Sequence, residues 1–282
     1  MDLGLKNFNG ASKARHLKST LDAQHILPCH CERLKGASQS YRLGKENKNC
    51  AFTLAEVLIT LGIIGVVAAL TIPTLMQKMD ERETVSKLKK AYSTLSNAYS
   101  LISVERGDPT KWLQTDEPDE IGNIFAEHLN VAKNCGTSSG CFDSERTLDL
   151  SGNFYGKDIN TRDDMAKLLL SDGTSVAFKL ASPDCSLSEG NTPQLSALCG
   201  FITVNLNKGK PRNVFGKNIF EFMITKSGIV PYGVKGATGE NFETYCKRTS
   251  SGNGCTAWVL YNENLDYLHC DDLSWDGKTK CD

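Results

Sequence analysis

The feature that most constrains this chain is an apolar run that begins at Phe52 and ends near Leu75. A run of about 20 apolar residues is long enough to cross the hydrocarbon core of a bilayer as one α-helix. The run contains one ionisable side chain, Glu56, close to its start. A carboxylate inside a membrane costs roughly 3 kcal/mol even on a lenient scale, so it calls for a partner. The sequence therefore predicts a single membrane helix with a task beyond anchoring.

The distribution of charge around this run predicts its orientation. Residues 1–51 contain nine Lys and Arg against four Asp and Glu, a net charge of +5, whereas residues 52–282 contain 23 against 29, a net charge of −6. Because positively charged flanks stay in the cytoplasm, we expect residues 1–51 inside and the rest of the chain outside. The acidic exported part also argues against a nucleic-acid partner, because phosphate contacts require positive charge.

Residues 1–51 are polar and basic, and they lack the apolar core that a secretory signal peptide places after its basic region. We interpret them as a cytoplasmic leader that is removed, either disordered or extended by a start codon assigned too far upstream. Four leader residues, His25, Cys29, His30 and Cys31, are of metal-binding types. No hydrophobic pattern surrounds them and their C-x-C spacing is not typical of zinc, so we expect no metal site and no cofactor.

The string Ala51-Phe52-Thr53-Leu54-Ala55-Glu56, followed by the apolar run, resembles the N-terminal cleavage and methylation motif of prepilins. These are the type IV pilins and the pseudopilins of type II secretion systems. The resemblance implies that a prepilin peptidase cuts between Ala51 and Phe52, methylates the new Phe52 amine and leaves Glu56 at the fifth position. Pro73 falls where a helix-bending proline is common in the family. Ala51 replaces the usual Gly, which is expected to slow processing, and the leader is unusually long.

The resemblance implies a structural subunit, minor or specialised, of a type IV pilus or a type II secretion pseudopilus. Its partners would be other pilin or pseudopilin subunits, prepilin peptidase, the inner-membrane assembly machinery and, before assembly, membrane lipid. Its location would be the bacterial inner membrane as a single-pass protein, and then an extracytoplasmic filament or the cell surface. The alternative is a membrane-tethered extracytoplasmic binding module that uses the helix only as an anchor.

A helical pattern continues beyond the apolar run. Apolar residues recur at alternating steps of three and four, at Val85, Leu88, Tyr92, Leu95, Tyr99 and Ile102. This period is typical of one buried helix face, and the pattern is too short to favour a two-stranded coiled coil over packing on the protein's own sheet. The helix should end at the breakers Gly107-Asp108-Pro109. We therefore predict a helix over residues 52–75, its amphipathic continuation over residues 76–107 and a globular head over residues 108–282.

The head is predicted to be α+β and pilin-like, an antiparallel sheet covered by the long helix, with a disulfide-tied C-terminal region. One helix is expected over residues 117–131. Residues 165–170 and 175–180 flank Asp172-Gly173, a strong hairpin signal. Further strands are expected at residues 201–206, 219–225 and 229–234, with short edge strands at 258–261 and 267–268.

Cysteine usage supports export. Eight of the 11 cysteines follow Phe52, and they form pairs that are close in sequence: Cys135/Cys141, Cys185/Cys199, Cys246/Cys255 and Cys270/Cys281. Eight cysteines allow 105 connectivities, of which we take neighbour pairing as the first hypothesis. A zinc site is disfavoured because C-x-x-C does not occur in the sequence. Disulfides would place the head in an oxidising compartment.

Two further strings suggest chemistry only superficially. Residues 205–220 resemble a calcium-loop motif of pilin heads, but Asn205 and Asn218 stand where acidic residues are usual, so a structural turn is favoured. Residues 136–140 match G-x-S-x-G, yet they lie between Cys135 and Cys141 and are better explained as a disulfide loop than as a nucleophile elbow. We expect no enzymatic activity.

Overall fold

The structure is a computed structural model, and it describes residues 52–114, 117–143, 146–156, 158–206, 212–239 and 241–282. The leader, including Ala51 and the leader cysteines and histidines, lies outside these residues. From Leu54 onward the chain forms one compact unit. Its first element is α1, Leu54–Arg106, a helix of 53 residues that spans about 80 Å at 1.5 Å per residue. It ends one residue before Gly107, as predicted, and Gly107 adopts the positive φ common after a helix.

The head contains the predicted antiparallel sheet, in which six strands follow the order β1-β3-β4-β5-β7-β8. Every neighbouring pair of this sheet is antiparallel, whereas β2 and β6 form a separate parallel pair. The strands are β1 Val131–Gly136, β2 Thr147–Leu148, β3 Ala166–Leu170, β4 Ser175–Leu180, β5 Leu198–Asn205, β6 Asn213–Val214, β7 Ile219–Thr225 and β8 Gly228–Pro231. The helices after α1 are α2 Pro109–Trp112, α3 Pro118–Ala126, α4 Phe242–Tyr245 and α5 Thr256–Asn262.

The hairpin between β3 and β4 forms around Asp172-Gly173, as predicted. The Asp172 carboxylate accepts a hydrogen bond from the Thr174 backbone N–H at 3.0 Å. Gly173 has a φ of +87°, a left-handed conformation that glycine adopts at little cost. The alternation of β3 and β4 then places Leu168, Val176 and Phe178 on the face that packs toward α1.

The second half of α1 covers this face of the sheet, which confirms the predicted apolar stripe. Leu88, Leu95 and Ile102 are almost fully buried in the main core, and the Tyr92 ring stacks on Phe222 of β7 with centroids 5.7 Å apart. The two sides of the core therefore come from one chain, and no second helix is needed to bury the stripe.

The predicted edge strands near the C-terminus are wrong. Residues 258–261 belong to α5, and residues 267–268 belong to a 3₁₀ turn, Asp266–Leu268. Trp258 stacks on Phe242 of α4 with centroids 3.9 Å apart, and it is fully buried together with Val259. Consecutive buried residues are typical of a short helix that is surrounded by the core. In the sequence, a short apolar run of this kind cannot be distinguished from a buried strand.

The helix predicted over residues 117–131 is shorter than expected. The helix α3 ends at Ala126, and the chain then turns and enters β1, which sequence analysis missed. Leu129 is buried in the turn after the helix. It therefore extended the helical pattern of apolar residues in the sequence, although it does not belong to α3. The strand β1 has the sequence Val-Ala-Lys-Asn-Cys-Gly and lies at the edge of the sheet. None of its residues is fully buried, and its sequence shows no alternation of apolar and polar residues.

Four disulfides cross-link the head, and each joins cysteines that are neighbours in the sequence. The bonded pairs are Cys135–Cys141, Cys185–Cys199, Cys246–Cys255 and Cys270–Cys281. They close short loops of 6 to 14 residues, two of which lie in the C-terminal region after β8. The region that carries α4, α5 and the C-terminal tail is therefore held by covalent bonds as well as by its aromatic core.

Candidate assembly site

The first half of α1 presents its apolar side chains outward on every side. Between Leu54 and Asp80 every residue is exposed except Ala68, which is half-buried. Among the described residues this helix is the one long and apolar enough to cross a membrane, and its most apolar stretch is not buried by the rest of the protein. An exposed apolar surface of this extent requires lipid or other protein to cover it.

Glu56 lies in the first turn of α1, two residues after Leu54. The backbone N–H groups of a first turn have no partner within the helix and carry a partial positive charge, which stabilises a carboxylate at this position. Phe52, just before the helix, has a side chain that is 85% exposed. The local fold therefore places a carboxylate and the predicted new N-terminus at the same end of one helix.

The threonine side chains inside the apolar half of α1 are satisfied within the helix. The hydroxyls of Thr60, Thr71 and Thr74 donate hydrogen bonds to backbone carbonyls three or four residues earlier, at 2.9–3.0 Å. Such bonds let a threonine enter lipid without an unsatisfied donor. Glu56 is consequently the one side chain between residues 52 and 77 that can bring a full charge into the membrane.

Pro73 lies inside α1, as its place in the motif predicts. A proline has no backbone N–H, so the carbonyl of Ala69, four residues earlier, loses its usual helical donor. The helix nevertheless continues without interruption to Arg106. A bend at Pro73 remains a prediction.

Several polar contacts fasten the second half of α1 to the head. Lys89 pairs with Glu263 at 2.6 Å, Lys90 pairs with Asp172 at 2.7 Å, and Glu81 lies 2.8 Å from the His269 ring. The Lys89 ammonium lowers the pKa of the Glu263 carboxyl by hydrogen bonding to its charged form. Because these side chains are partly exposed, each pair adds little to stability, and their common effect is to fix the orientation of the helix.

The segment that resembles a calcium loop uses its asparagines to close a turn. The Asn218 side-chain oxygen accepts a hydrogen bond from the Val214 backbone N–H at 2.7 Å, and the Asn205 amide donates to the Asn213 side chain at 2.9 Å. Residues 207–211 lie outside the described residues. Calcium binds oxygen ligands, and the side-chain oxygens of Asn213 and Asn218 already accept hydrogen bonds within the protein, which favours the structural interpretation.

The G-x-S-x-G string does not have the geometry of a nucleophile elbow. It begins at Gly136, the last residue of β1, and the Cys135–Cys141 disulfide closes it into a loop. Within this loop the Ser138 backbone N–H donates to the Cys135 carbonyl at 2.9 Å. No helix follows in the described residues 137–143, whereas an elbow requires one directly after the nucleophile.

A set of polar residues that the sequence did not predict to be close together lies on the sheet face that points away from α1. Lys179, Thr203 and Glu221 lie there on three successive strands, and each alternates with buried apolar neighbours. The sequence signal was a polar residue inside a largely apolar strand, which by itself indicates an ordinary solvent-facing position. Their proximity depends on strand register, which the sequence did not predict.

Comparison with known proteins agrees with the geometry of α1. Residues 47–72 match the family model described as the prokaryotic N-terminal methylation motif. No curated protein and no solved structure matches the chain significantly. The match covers the approach to the predicted cleavage point, Glu56 and most of the exposed apolar half of α1. The chain therefore carries the prepilin-type cleavage and methylation signature at the start of a pilin-like α+β architecture, which supports a membrane-anchored protein of the type IV pilin or pseudopilin type.

Proposed function

We propose that this protein is a structural subunit, in a minor or specialised role, of a type IV pilus or a type II secretion pseudopilus. The observation that carries the proposal is the position of Glu56, an ionisable side chain in the first turn of an apolar helical half that the head leaves exposed. An anchor that only holds a head at the membrane gains nothing from this carboxylate. A helix that must recognise its neighbours gains a specific contact.

Processing would create an intermolecular partner for Glu56. Removal of residues 1–51 by prepilin peptidase converts Phe52 into an N-terminus with a positively charged amine. In a stack of such helices the Glu56 carboxylate of one subunit meets the Phe52 amine of the next, and the two charges are buried together. Removing one partner of a buried ion pair costs about 3–5 kcal/mol, because the other charge is left without compensation. The pair would therefore set the register of assembly.

The same helix would serve two environments in succession. Before assembly lipid covers residues 52–75, and the positively charged leader keeps the N-terminus in the cytoplasm. During assembly the helices of neighbouring subunits replace lipid around the same apolar surface. Residues 76–107 continue the helix into the head, residues 108–282, so that each head is held at a fixed position on the filament.

The test is incorporation of a Glu56→Ala variant into filaments. We expect the variant to insert into the membrane as well as the wild type, because a less polar helix crosses a bilayer more easily, and to be lost from sheared filament fractions. Glu83→Ala is a matched control, since Glu83 lies on the same helix outside the apolar half and pairs with Lys87 at 2.8 Å on the surface. Equal incorporation of both variants would contradict assembly through Glu56 and would favour the tethered binding module.

A further inference from the structure

The sheet face that points away from α1 carries two separate apolar clusters. One cluster includes Ile159, Met165 and Phe215, and the other consists of Leu195, Leu198, Met223 and Tyr232. Between the two clusters the sheet surface is polar. There a cleft of about 200 Å³ opens, and both clusters contribute to its walls. We call it the outer-face cleft.

The floor of the outer-face cleft is formed by paired strand residues. Thr203 of β5 lies directly opposite Glu221 of β7, and its hydroxyl donates to the Glu221 carboxylate at 3.2 Å. The second carboxylate oxygen of Glu221 accepts a hydrogen bond from the Asn253 amide at 3.3 Å. The carboxylate is thus held in place by the protein, and its position is set by the register of the sheet.

The side walls of the cleft are aromatic. The Phe201 and Tyr232 rings meet edge to face with centroids 5.8 Å apart, and the Tyr155 and Phe215 rings pack with centroids 4.5 Å apart. These two pairs belong to different walls, one to each apolar cluster. The face of an aromatic ring carries partial negative charge and attracts C–H groups, which carry partial positive charge. The walls therefore suit a ligand with a surface made of C–H groups.

The charges at the cleft balance. Arg162 donates to both carboxylate oxygens of Asp164, at 2.7 and 2.5 Å, and Lys179 lies 3.2 Å from the same carboxylate. The Arg162 hydrogen bonds hold the pKa of the Asp164 carboxyl well below its usual range, so this carboxyl is ionised at neutral pH. Arg162, Lys179 and Glu221 line the cleft, whereas Asp164 does not line it but pairs with both cations. Together these four groups comprise two cations and two anions. A ligand with a net charge would disturb this balance, whereas a neutral one would not.

Asn253 supplies a further group that its surroundings do not satisfy. Its side chain is 96% buried in the wall of the cleft, and its amide nitrogen donates to the Tyr155 hydroxyl at 2.6 Å. Its side-chain oxygen is buried and accepts no hydrogen bond from the described residues. An unsatisfied buried acceptor costs about 1–3 kcal/mol, and such groups in a native structure point to a missing water or ligand donor.

We propose that the outer-face cleft binds one ring of an uncharged saccharide. A sugar hydroxyl both donates and accepts hydrogen bonds. Glu221 and Asn253 offer acceptors, and Arg162 and Lys179 together carry more N–H donors than Asp164 can accept. The C–H face of a pyranose fits the aromatic walls. Pockets for drug-sized ligands have volumes of roughly 300–1,000 Å³. The volume of the outer-face cleft is smaller and corresponds to a single sugar ring.

The position of the cleft makes it compatible with either role of α1. It opens on the opposite side of the sheet from the helix, so neither a bilayer around residues 52–75 nor neighbouring helices would cover it directly. The proposal that the cleft binds a saccharide therefore does not depend on the proposal that the protein assembles into a filament. A Glu56 variant that fails to assemble is expected to bind the same sugar.

The test is saturation-transfer difference NMR on the full chain in a detergent without a sugar headgroup. The probes are glucose, galactose, mannose and N-acetylglucosamine, with glucuronate as an anionic comparison and alanine as a zwitterionic one that is not a sugar. We expect one or more neutral sugars to receive saturation at their ring C–H protons, with a Kd on the order of 1 mM. Glu221→Gln should weaken this binding about tenfold, and Phe201→Ala should reduce the saturation of the C–H face.

Glu243→Gln provides the matched control, because Glu243 lies on the exposed side of α4, outside the cleft. It should leave sugar binding unchanged. Thr203→Val serves as a second cleft variant if Glu221→Gln does not fold, as judged by far-UV circular dichroism. Binding of none of the neutral sugars, preferential binding of glucuronate or alanine, or equal binding by the Glu221 and Glu243 variants would each overturn the proposal.

Discussion

The Tyr99 hydroxyl on α1 donates a hydrogen bond to the Thr225 carbonyl at the end of β7, at 2.8 Å, and approaches the next carbonyl, that of Lys226, at 3.0 Å. The two residues are 126 positions apart in the chain. Tyr99 is buried, and burial raises the pKa of its hydroxyl to about 12. This bond joins α1 to the sheet at the point where the β7–β8 hairpin turns.

Replacing Tyr99 with phenylalanine is expected to destabilise the folded protein by about 1–2 kcal/mol. The ring and its packing on Trp112 remain, while the buried carbonyls lose their donor. Chemical denaturation of the full chain in detergent measures the loss. Tyr261→Phe is the control, since Tyr261 is 67% exposed and should change stability by less than about 0.5 kcal/mol. An equal effect of both substitutions would contradict the role assigned to Tyr99.

The raised pKa of Tyr99 also predicts how stability depends on pH. The unfolded tyrosine loses its proton near pH 10, whereas the folded one keeps it to about pH 12, so its contribution is complete below pH 10 and disappears as pH rises to 12. The free energy of unfolding of the wild type should therefore approach that of Tyr99→Phe between pH 10 and pH 12. Parallel denaturant titrations of the two proteins check this, and a constant difference over the range would refute it.

Ile102 and Leu101 are adjacent on α1 but differ completely in burial. Ile102 is 0% exposed in the main core, while Leu101 is 51% exposed. Truncation of a buried Ile to Ala removes its transfer free energy and leaves a cavity, so Ile102→Ala should cost about 2–5 kcal/mol. Leu101→Ala should cost less than about 0.5 kcal/mol. Denaturation midpoints of the two variants give the comparison, and similar values would contradict the packing of α1 on the sheet.

The parts of the fold that the sequence predicts are those whose signal is local. The stripe that contains Leu88 and Ile102 repeats over five turns of one helix, and Asp172-Gly173 marks its hairpin within a few residues. The edge strand β1 and the helix α5 were missed because β1 has no apolar alternation and α5 is too short to show a period.

The two candidate sites, Glu56 and the outer-face cleft, also differ in whether their sequence signal is local. Glu56 is visible in the sequence because one charge interrupts an otherwise apolar run. The outer-face cleft is not visible, because Thr203 meets Glu221 only through the register of β5 and β7, and Asn253 reaches them from a 3₁₀ turn, Asn253–Cys255, more than 30 residues later. Long-range pairing of this kind is decided by the packing of the whole head.

The disulfides predict a simple labelling result for the mature protein. Iodoacetamide without reduction should modify none of the eight head cysteines, and after reduction it should modify all eight, because each is bonded to its neighbour in sequence. Cys246 and Cys255 are almost fully buried, so unfolding in denaturant must accompany the reaction. Peptide mapping by mass spectrometry identifies the pairs. A peptide that joins cysteines of different neighbour pairs would contradict this connectivity.

Ala51 is expected to limit the rate of cleavage. The motif usually has Gly at this position, and a peptidase pocket that fits Gly must make room for the extra methyl group of Ala, a difference that can change rates by tenfold or more. Ala51→Gly should therefore speed processing by about tenfold in a pulse–chase experiment in cells that contain prepilin peptidase, and the product should begin at N-methyl-Phe52 by intact mass. Ala55→Gly is the matched control, because the motif leaves that position variable, and it should not alter the rate. The same rate for both variants would show that Ala51 does not limit cleavage, and a product with a different N-terminus would show that the leader is removed by another route.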